Sequence, residues 1–129
     1  MKEPLSSKRI AVLIVEDDPH SQLYFRKLLQ GMYDTAVASS AREAWYLLHK
    51  ESFDMVLMDI SLKGDEDGLS LTRRLRAEEA FKTIPIVAVT AYAFPDDKLR
   101  AIDAGCTDYL SKPVSSNDLR LKIAELTKK

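Results

Sequence analysis

Three stretches of the chain are almost unbroken in apolar residues: 10–15, 55–58 and 86–89. They do not alternate with polar positions, which is how strands read when both faces of a parallel sheet are covered. The pair Tyr109-Leu110 and the shorter, less apolar stretch 35–38 are weaker candidates of the same kind. Between them the spacing turns helical. Residues 19–32 put Leu23, Leu28, Leu29 and Met32 near one face, with Pro19 suited to a first helical position. Ser40 followed by Glu43 resembles a capping box that opens a helix running to Lys50, with Ala44, Leu47 and Leu48 inward. A third helix is predicted over 69–79, with Leu71 and Leu75 one turn apart, and a fourth over 96–104, stopped by Gly105. The last covers 116–127, striped by Leu119, Ile123 and Leu126. Strand and helix thus alternate five times, which predicts a doubly wound α/β domain with a parallel sheet.

A length of 129 residues fits one such domain, and folding at that size buries roughly two-thirds of the surface of the unfolded chain. Residues 1–8 carry little apolar character and read as a flexible N-terminal tail, leaving 9–129 as the domain. With 19 basic and 20 acidic side chains the net charge is −1, so nothing in the charge balance points to nucleic acid or an anionic membrane. No apolar run approaches the ~20 residues of a membrane span, and the start lacks a secretory core; a cytoplasmic protein is the default expectation. The single cysteine, Cys106, can form no intramolecular disulfide and no thiolate metal cluster; it reads as a small packed residue.

The chemistry lies where the apolar runs stop. The first ends in Glu16, Asp17 and Asp18, the run from Met55 in Asp59, and the run from Ile86 in Thr90; Tyr109-Leu110 is followed by Ser111 and Lys112. Open parallel sheets bind ligands outside the carboxyl ends of their strands, where strand order reverses. Carboxylates gathered at such an edge repel one another unless a cation joins them. With oxygen donors and no neighbouring His or Cys, a hard ion such as Mg²⁺ suits them best. Asp18, directly before Pro19, reads better as a helix cap, but capping does not explain Asp59. An aspartate can attack phosphorus to form an acyl phosphate, and a metal and a lysine can then neutralise the transferred oxygens. Thr90 offers a hydroxyl, and the small Ala91 beside it leaves the approach open. Lys112 precedes Pro113, which biases it to extended backbone; a cis bond between them is admissible.

Taken together, Ile14-Val15-Glu16-Asp17-Asp18-Pro19, Leu57-Met58-Asp59-Ile60, Asp67-Gly68, Ala88-Val89-Thr90-Ala91 and the stretch from Asp108 to Val114 resemble response-regulator receiver domains, in order and spacing, from about Lys8 onward. The resemblance implies a flavodoxin-like fold with sheet order 2-1-3-4-5. It implies Asp59 as phosphoacceptor, and Mg²⁺ held by Asp17, Asp59 and the backbone carbonyl of Ser61, with Glu16 acting through water. Thr90, Ala91 and Lys112 would contact the phosphoryl group, and Thr90 with Tyr109 would form the switch pair. The donor would be a histidine kinase or a histidine phosphotransfer protein, and the output a protein target met by the face of the fourth helix, fifth strand and fifth helix. The family often forms homodimers there, an option the sequence leaves open. One departure stands out: the stretch after Asp59 is one residue longer than usual and carries Lys63 where many receivers have proline. Its acids, Asp65, Glu66 and Asp67, are expected to alter metal affinity or donor recognition.

His20 and His49 stand alone on predicted helices and are expected to be surface or partly packed groups. Trp45, Tyr46 and Phe53 are expected to cover core, and Tyr92, Phe94 and Tyr109 to form a partly exposed aromatic patch. The start at Met1 favours a free single-domain protein over a receiver excised from a hybrid kinase. A Mg²⁺-dependent phosphatase would need a second acid two residues beyond Asp59, where Ser61 stands, and a docking module would not need the acids, threonine and lysine kept here. The domain is therefore expected to assist its own phosphorylation without being a turnover enzyme.

Overall fold

Each of the five apolar stretches forms a strand: β1 (Ala11–Val15), β2 (Asp34–Ala38), β3 (Met55–Asp59), β4 (Ile86–Thr90) and β5 (Asp108–Ser111). In the computed structural model, which describes residues 9–64, 66–91 and 94–127, they pair in parallel in the order β2-β1-β3-β4-β5. The helices are α1 (Pro19–Leu29), α2 (Ala41–Lys50), α3 (Gly68–Arg76), α4 (Pro95–Ala104) and α5 (Ser116–Leu126), and a 3₁₀ turn spans Glu79–Phe81. This is the flavodoxin-like arrangement. The expected tail, 1–8, lies outside the described residues, as do Asp65 and Tyr92.

Period-two alternation splits the strands between two cores. Leu13, Val15, Val56, Met58, Ile86 and Ala88 face one side, where α2, α3 and α4 contribute Ala44, Leu71, Leu75 and Ala101. Val12, Ile14, Met55, Leu57, Val87 and Val89 face the other, against Phe25 and Leu29 of α1 and Leu119 and Ile123 of α5. Both faces of the central strands are dry, which is why their sequences are continuous rather than alternating.

The helix ends refine several expectations. α1 stops at Leu29 instead of reaching Met32, because Gly31 turns the chain at φ 86°. Its buried side chains are Phe25 and Leu29, while Leu23 and Met32 are half exposed. Leu23 lies two residues, or about 200°, from Phe25 and so points away from the sheet. In α2 the Ser40 hydroxyl accepts from Glu43 N–H, but the Glu43 carboxylate accepts from Ser39 N–H rather than closing a capping box on Ser40. α3 ends at Arg76, short of Glu79: the chain turns back so that Phe81 is buried, and the Arg76 guanidinium donates to the Phe81 carbonyl at 2.7 Å. α4 ends as predicted at Gly105, whose φ of 115° is left-handed. Trp45 and Phe53 pack on the core as expected, whereas Tyr46 is exposed with Lys50 over its ring.

Candidate functional site

Strand register brings the run-ending residues to one edge. Val15 pairs with Met58, Asp59 with Val89, and Thr90 with Ser111, so Glu16, Asp17, Asp59, Thr90 and Lys112 stand at corresponding heights. Glu16 continues β1 by donating its N–H to the Ala38 carbonyl, and it is only 2% exposed. Its carboxylate accepts from Lys112 Nζ at 2.8 Å and from Asp18 N–H at 3.1 Å. Asp59 is also buried; its Oδ1 accepts from Ser61 N–H at 2.8 Å, and its Oδ2 lies 3.8 Å from Lys112 Nζ. Asp17 accepts from the N–H of Lys63 at 2.9 Å. One carboxylate oxygen from each of Glu16, Asp17 and Asp59 lies within 4.8 Å of the other two.

Two of the three carboxylates, Glu16 and Asp59, share the Lys112 ammonium, and the electrostatics show the strain. Burial pushes the Glu16 carboxyl above the usual range, and the neighbouring Asp59 charge adds to it, against the Lys112 hydrogen bond. For Lys112, burial works against the charged form, but the hydrogen bond to Glu16 and the charge of Asp59 outweigh it and raise its pKa. An all-oxygen donor set with surplus negative charge fits a hard divalent cation and offers nothing to a soft one.

The remaining pieces follow from local sequence. Asp18 caps α1, its carboxylate accepting from Ser21 N–H at 2.9 Å, so it is committed to the helix and not to the acid cluster. Thr90 closes β4 and is buried, Ala91 beside it is exposed, and Tyr109 of β5 is half-buried against the α2–α4 core. Phe94 is exposed and Tyr109 half-buried, and Tyr92, the third aromatic of the expected patch, lies outside the described residues. The Lys112–Pro113 bond is cis.

The family model described as the response regulator receiver domain matches residues 12–124. The chain belongs to that family. Among curated relatives, this receiver is 38% identical over 128 residues to the sensor protein GacS of Pseudomonas syringae pv. syringae, covering 96% of this chain but 14% of that protein. It is 39% identical over 106 residues to the polar-differentiation response regulator DivK of Brucella ovis, covering 81% of this chain and 85% of that one. A solved response regulator from Chloroflexus aurantiacus superposes with a TM-score of 0.89 at 30% identity, covering 94% of this chain and 99% of the other. The receiver domain of the sensor histidine kinase PA1611 from Pseudomonas aeruginosa superposes with a TM-score of 0.86 at 30% identity, again over 94% and 99%. That structure carries a magnesium ion coordinated in its active-site cleft.

Several contacts of this receiver were not read from its sequence. Gly68 opens α3 so close to the end of β3 that a Cβ there would run into the Asp59 carbonyl and the Ile60 Cα. The Asp67-Gly68 pair before a helical pattern is its only signal: Asp67 caps the helix through Ser70 N–H, and Gly68 permits the close approach. The Gln22 amide donating to the Glu16 carbonyl at 2.6 Å is a local contact with no motif behind it, and the Lys63 N–H on Asp17 is a long-range one. The Tyr24 hydroxyl, which donates to the Val114 carbonyl across the start of the last loop, is another.

Proposed function

We propose that Asp59 is the phosphoacceptor of a two-component or phosphorelay system and that the chain signals by contact with other proteins. The observation that carries this reading is the grouping of Glu16, Asp17 and Asp59 around one point, with the Lys112 ammonium reaching both Glu16 and Asp59.

The donor in this reading is a phosphohistidine on a histidine kinase or a histidine phosphotransfer protein. An Asp59 oxygen forms the new bond to phosphorus while the P–N bond breaks, its electron pair returning to the imidazole. Asp17, Asp59 and the Ser61 carbonyl would hold Mg²⁺, with Glu16 acting through water. The ion would supply charge neutralisation on the transferred oxygens, where most of the catalysis in phosphoryl transfer lies. Lys112 would move its hydrogen bonding from Glu16 toward the acyl phosphate. Thr90 would donate its hydroxyl to a phosphoryl oxygen past the small Ala91, and Tyr109 would follow it inward. The added charge of about −1.5 to −2 would then bias a two-state equilibrium of the α4–β5–α5 face, where a protein target or a second copy docks. A cytoplasmic location and the absence of multiple-turnover catalysis belong to the same proposal; no helix among the described residues is long and apolar enough to cross a membrane. The flexible tail at 1–8 ahead of a domain at 9–129 is proposed on sequence alone.

Incubation with Mg²⁺ and acetyl phosphate, followed by intact mass measurement, tests this directly. One added phosphoryl group is expected, absent without Mg²⁺ and absent in Asp59→Asn. A chain that takes no phosphoryl group from acetyl phosphate or from a phosphorylated histidine donor overturns it.

A further inference from the structure

The long loop after Asp59 is fastened from outside the acid cluster. Arg74 of α3 grips Glu66 with a two-pronged contact, Nε to Oε2 and Nη2 to Oε1, each 2.9 Å. The Ser70 hydroxyl donates to the same carboxylate at 2.8 Å. The Arg74 guanidinium lies 4.2 Å from the ring centroid of Trp45, on α2. Arg74 therefore joins the loop, α3 and α2 through one planar group, a geometry that a lysine cannot reproduce. The pairing lowers the Glu66 pKa and raises that of Arg74. Two of the loop's acids are thus already committed, Glu66 to Arg74 and Asp67 to the cap of α3. Upstream of the fastening, Gly64 turns the chain at φ 106°, and the preceding Lys63 N–H donates to Asp17 Oδ2.

We infer that the Glu66–Arg74 fork, stacked on Trp45, is a positioning device that holds the long loop so that the Lys63 amide orients the Asp17 carboxylate for the divalent ion. The inference rests on the receiver chemistry proposed above and adds to it the part played by the extra loop residue. Without an anchor, a longer loop samples more conformations, and the Lys63 amide spends less time on Asp17. Groups that orient metal ligands change metal affinity by roughly 10–100-fold when lost. Glu66 and Arg74 act one contact further out, so a loss of about threefold to tenfold is expected.

The test is a calorimetric Mg²⁺ titration of the parent chain, Glu66→Gln, Arg74→Gln and the double variant, with amide exchange followed at Lys63. Each single variant should bind Mg²⁺ about threefold to tenfold more weakly, the double variant no more weakly than the singles, and Lys63 exchange should quicken in all three. Unchanged Mg²⁺ affinity and unchanged Lys63 protection would reduce the fork to a surface ion pair and overturn the inference. Strictly additive losses would overturn its action as one unit. If Arg74→Gln does not fold, Arg74→Lys keeps the charge without the fork and is expected to show the same weakening; parent-like affinity there overturns the inference equally. A parent chain that binds no Mg²⁺ sinks the receiver chemistry itself, which separates the two failures.

Discussion

The two ends of the sheet are built on opposite electrostatic plans. At the amino end each strong polar group meets its complement. Asp54 accepts from the Ala11 N–H that opens β1, and the Thr107 hydroxyl accepts from the Ile86 N–H that opens β4. Arg76 donates to the carbonyls of Gly105 and Phe81 and to the Thr107 hydroxyl. At the carboxyl end, Glu16, Asp17 and Asp59 crowd together with Lys112 between two of them. The same strands carry both ends, so the difference is not imposed by the fold. One end is arranged for stability. The other holds unbalanced negative charge that a cation relieves, and stored imbalance of that kind marks sites that act on ligands.

The largest expected effect is at the amino end. Arg76→Ala removes three hydrogen bonds and leaves two part-buried carbonyls short of a donor. A loss of about 2–3 kcal/mol in unfolding free energy is expected by urea denaturation, with phosphorylation of the folded fraction by acetyl phosphate intact. Loss of phosphorylation in the folded fraction would mean that the two ends are coupled and would break the contrast.

Next comes the response to a divalent ion. Mg²⁺ at ten times its dissociation constant should raise unfolding free energy by about 1.4 kcal/mol through preferential binding to the folded state. Arg76→Ala should keep that increment, whereas Asp59→Asn should lose most of it. Equal increments in the parent and Asp59→Asn would place the ion somewhere other than the acid cluster.

Smaller, and opposite in sign to most point changes, is the effect of Asp59→Asn in the absence of metal. The amide keeps an acceptor for the Ser61 N–H but removes one of three crowded charges. Unfolding free energy at neutral pH should rise, on the order of 1 kcal/mol. A fall would show that the Lys112 ammonium already balances the cluster.

The sequence exposes the carboxyl end far more clearly than the amino end, and for a physical reason. Asp59 and Lys112 announce themselves because acids, a hydroxyl and an ammonium recur where successive strands stop, a coincidence with few explanations. The doubly wound α/β class could be expected because continuous apolar strands joined by helical spacing imply a parallel sheet, whereas the strand order 2-1-3-4-5 comes only with the resemblance to receiver domains. Arg76 is hidden among the other basic residues of a charged helix, and only the return of the chain at 79–81 and the end of α4 at Gly105 give it carbonyls to hold. Leu23 and Met32 misled for a related reason: they share an apolar character with the buried face of α1, but the angle from Phe25 and the turn at Gly31 decide exposure. Glu66 could be read as an acid near the metal, yet nothing in the sequence shows that Arg74 claims it.

The smallest expected effect returns to the stable side of the molecule. His49 Nδ1 faces the Trp45 carbonyl at 2.7 Å and Nε2 faces Glu78 Oε1 at 2.8 Å. Both partners only accept, so the ring is best served by protons on both nitrogens. Accordingly the His49 pKa is raised above 6.5, first by the Trp45 carbonyl and then by Glu78, against partial burial and the opposing charge of Arg74. The folded state therefore binds this proton more tightly than the unfolded chain. Its contribution is complete below the unfolded value of 6.5 and is lost as pH rises through the higher folded value. Thermal midpoints of the parent should fall over that interval relative to those of His49→Gln, whose profile should be flatter. The ring is more than a third exposed, so solvent screening keeps the difference small. Parallel profiles would show that the imidazolium gains nothing from its two acceptors. A difference that grows with added Mg²⁺ would instead tie this histidine to the far end of the sheet and erase the division between the two ends.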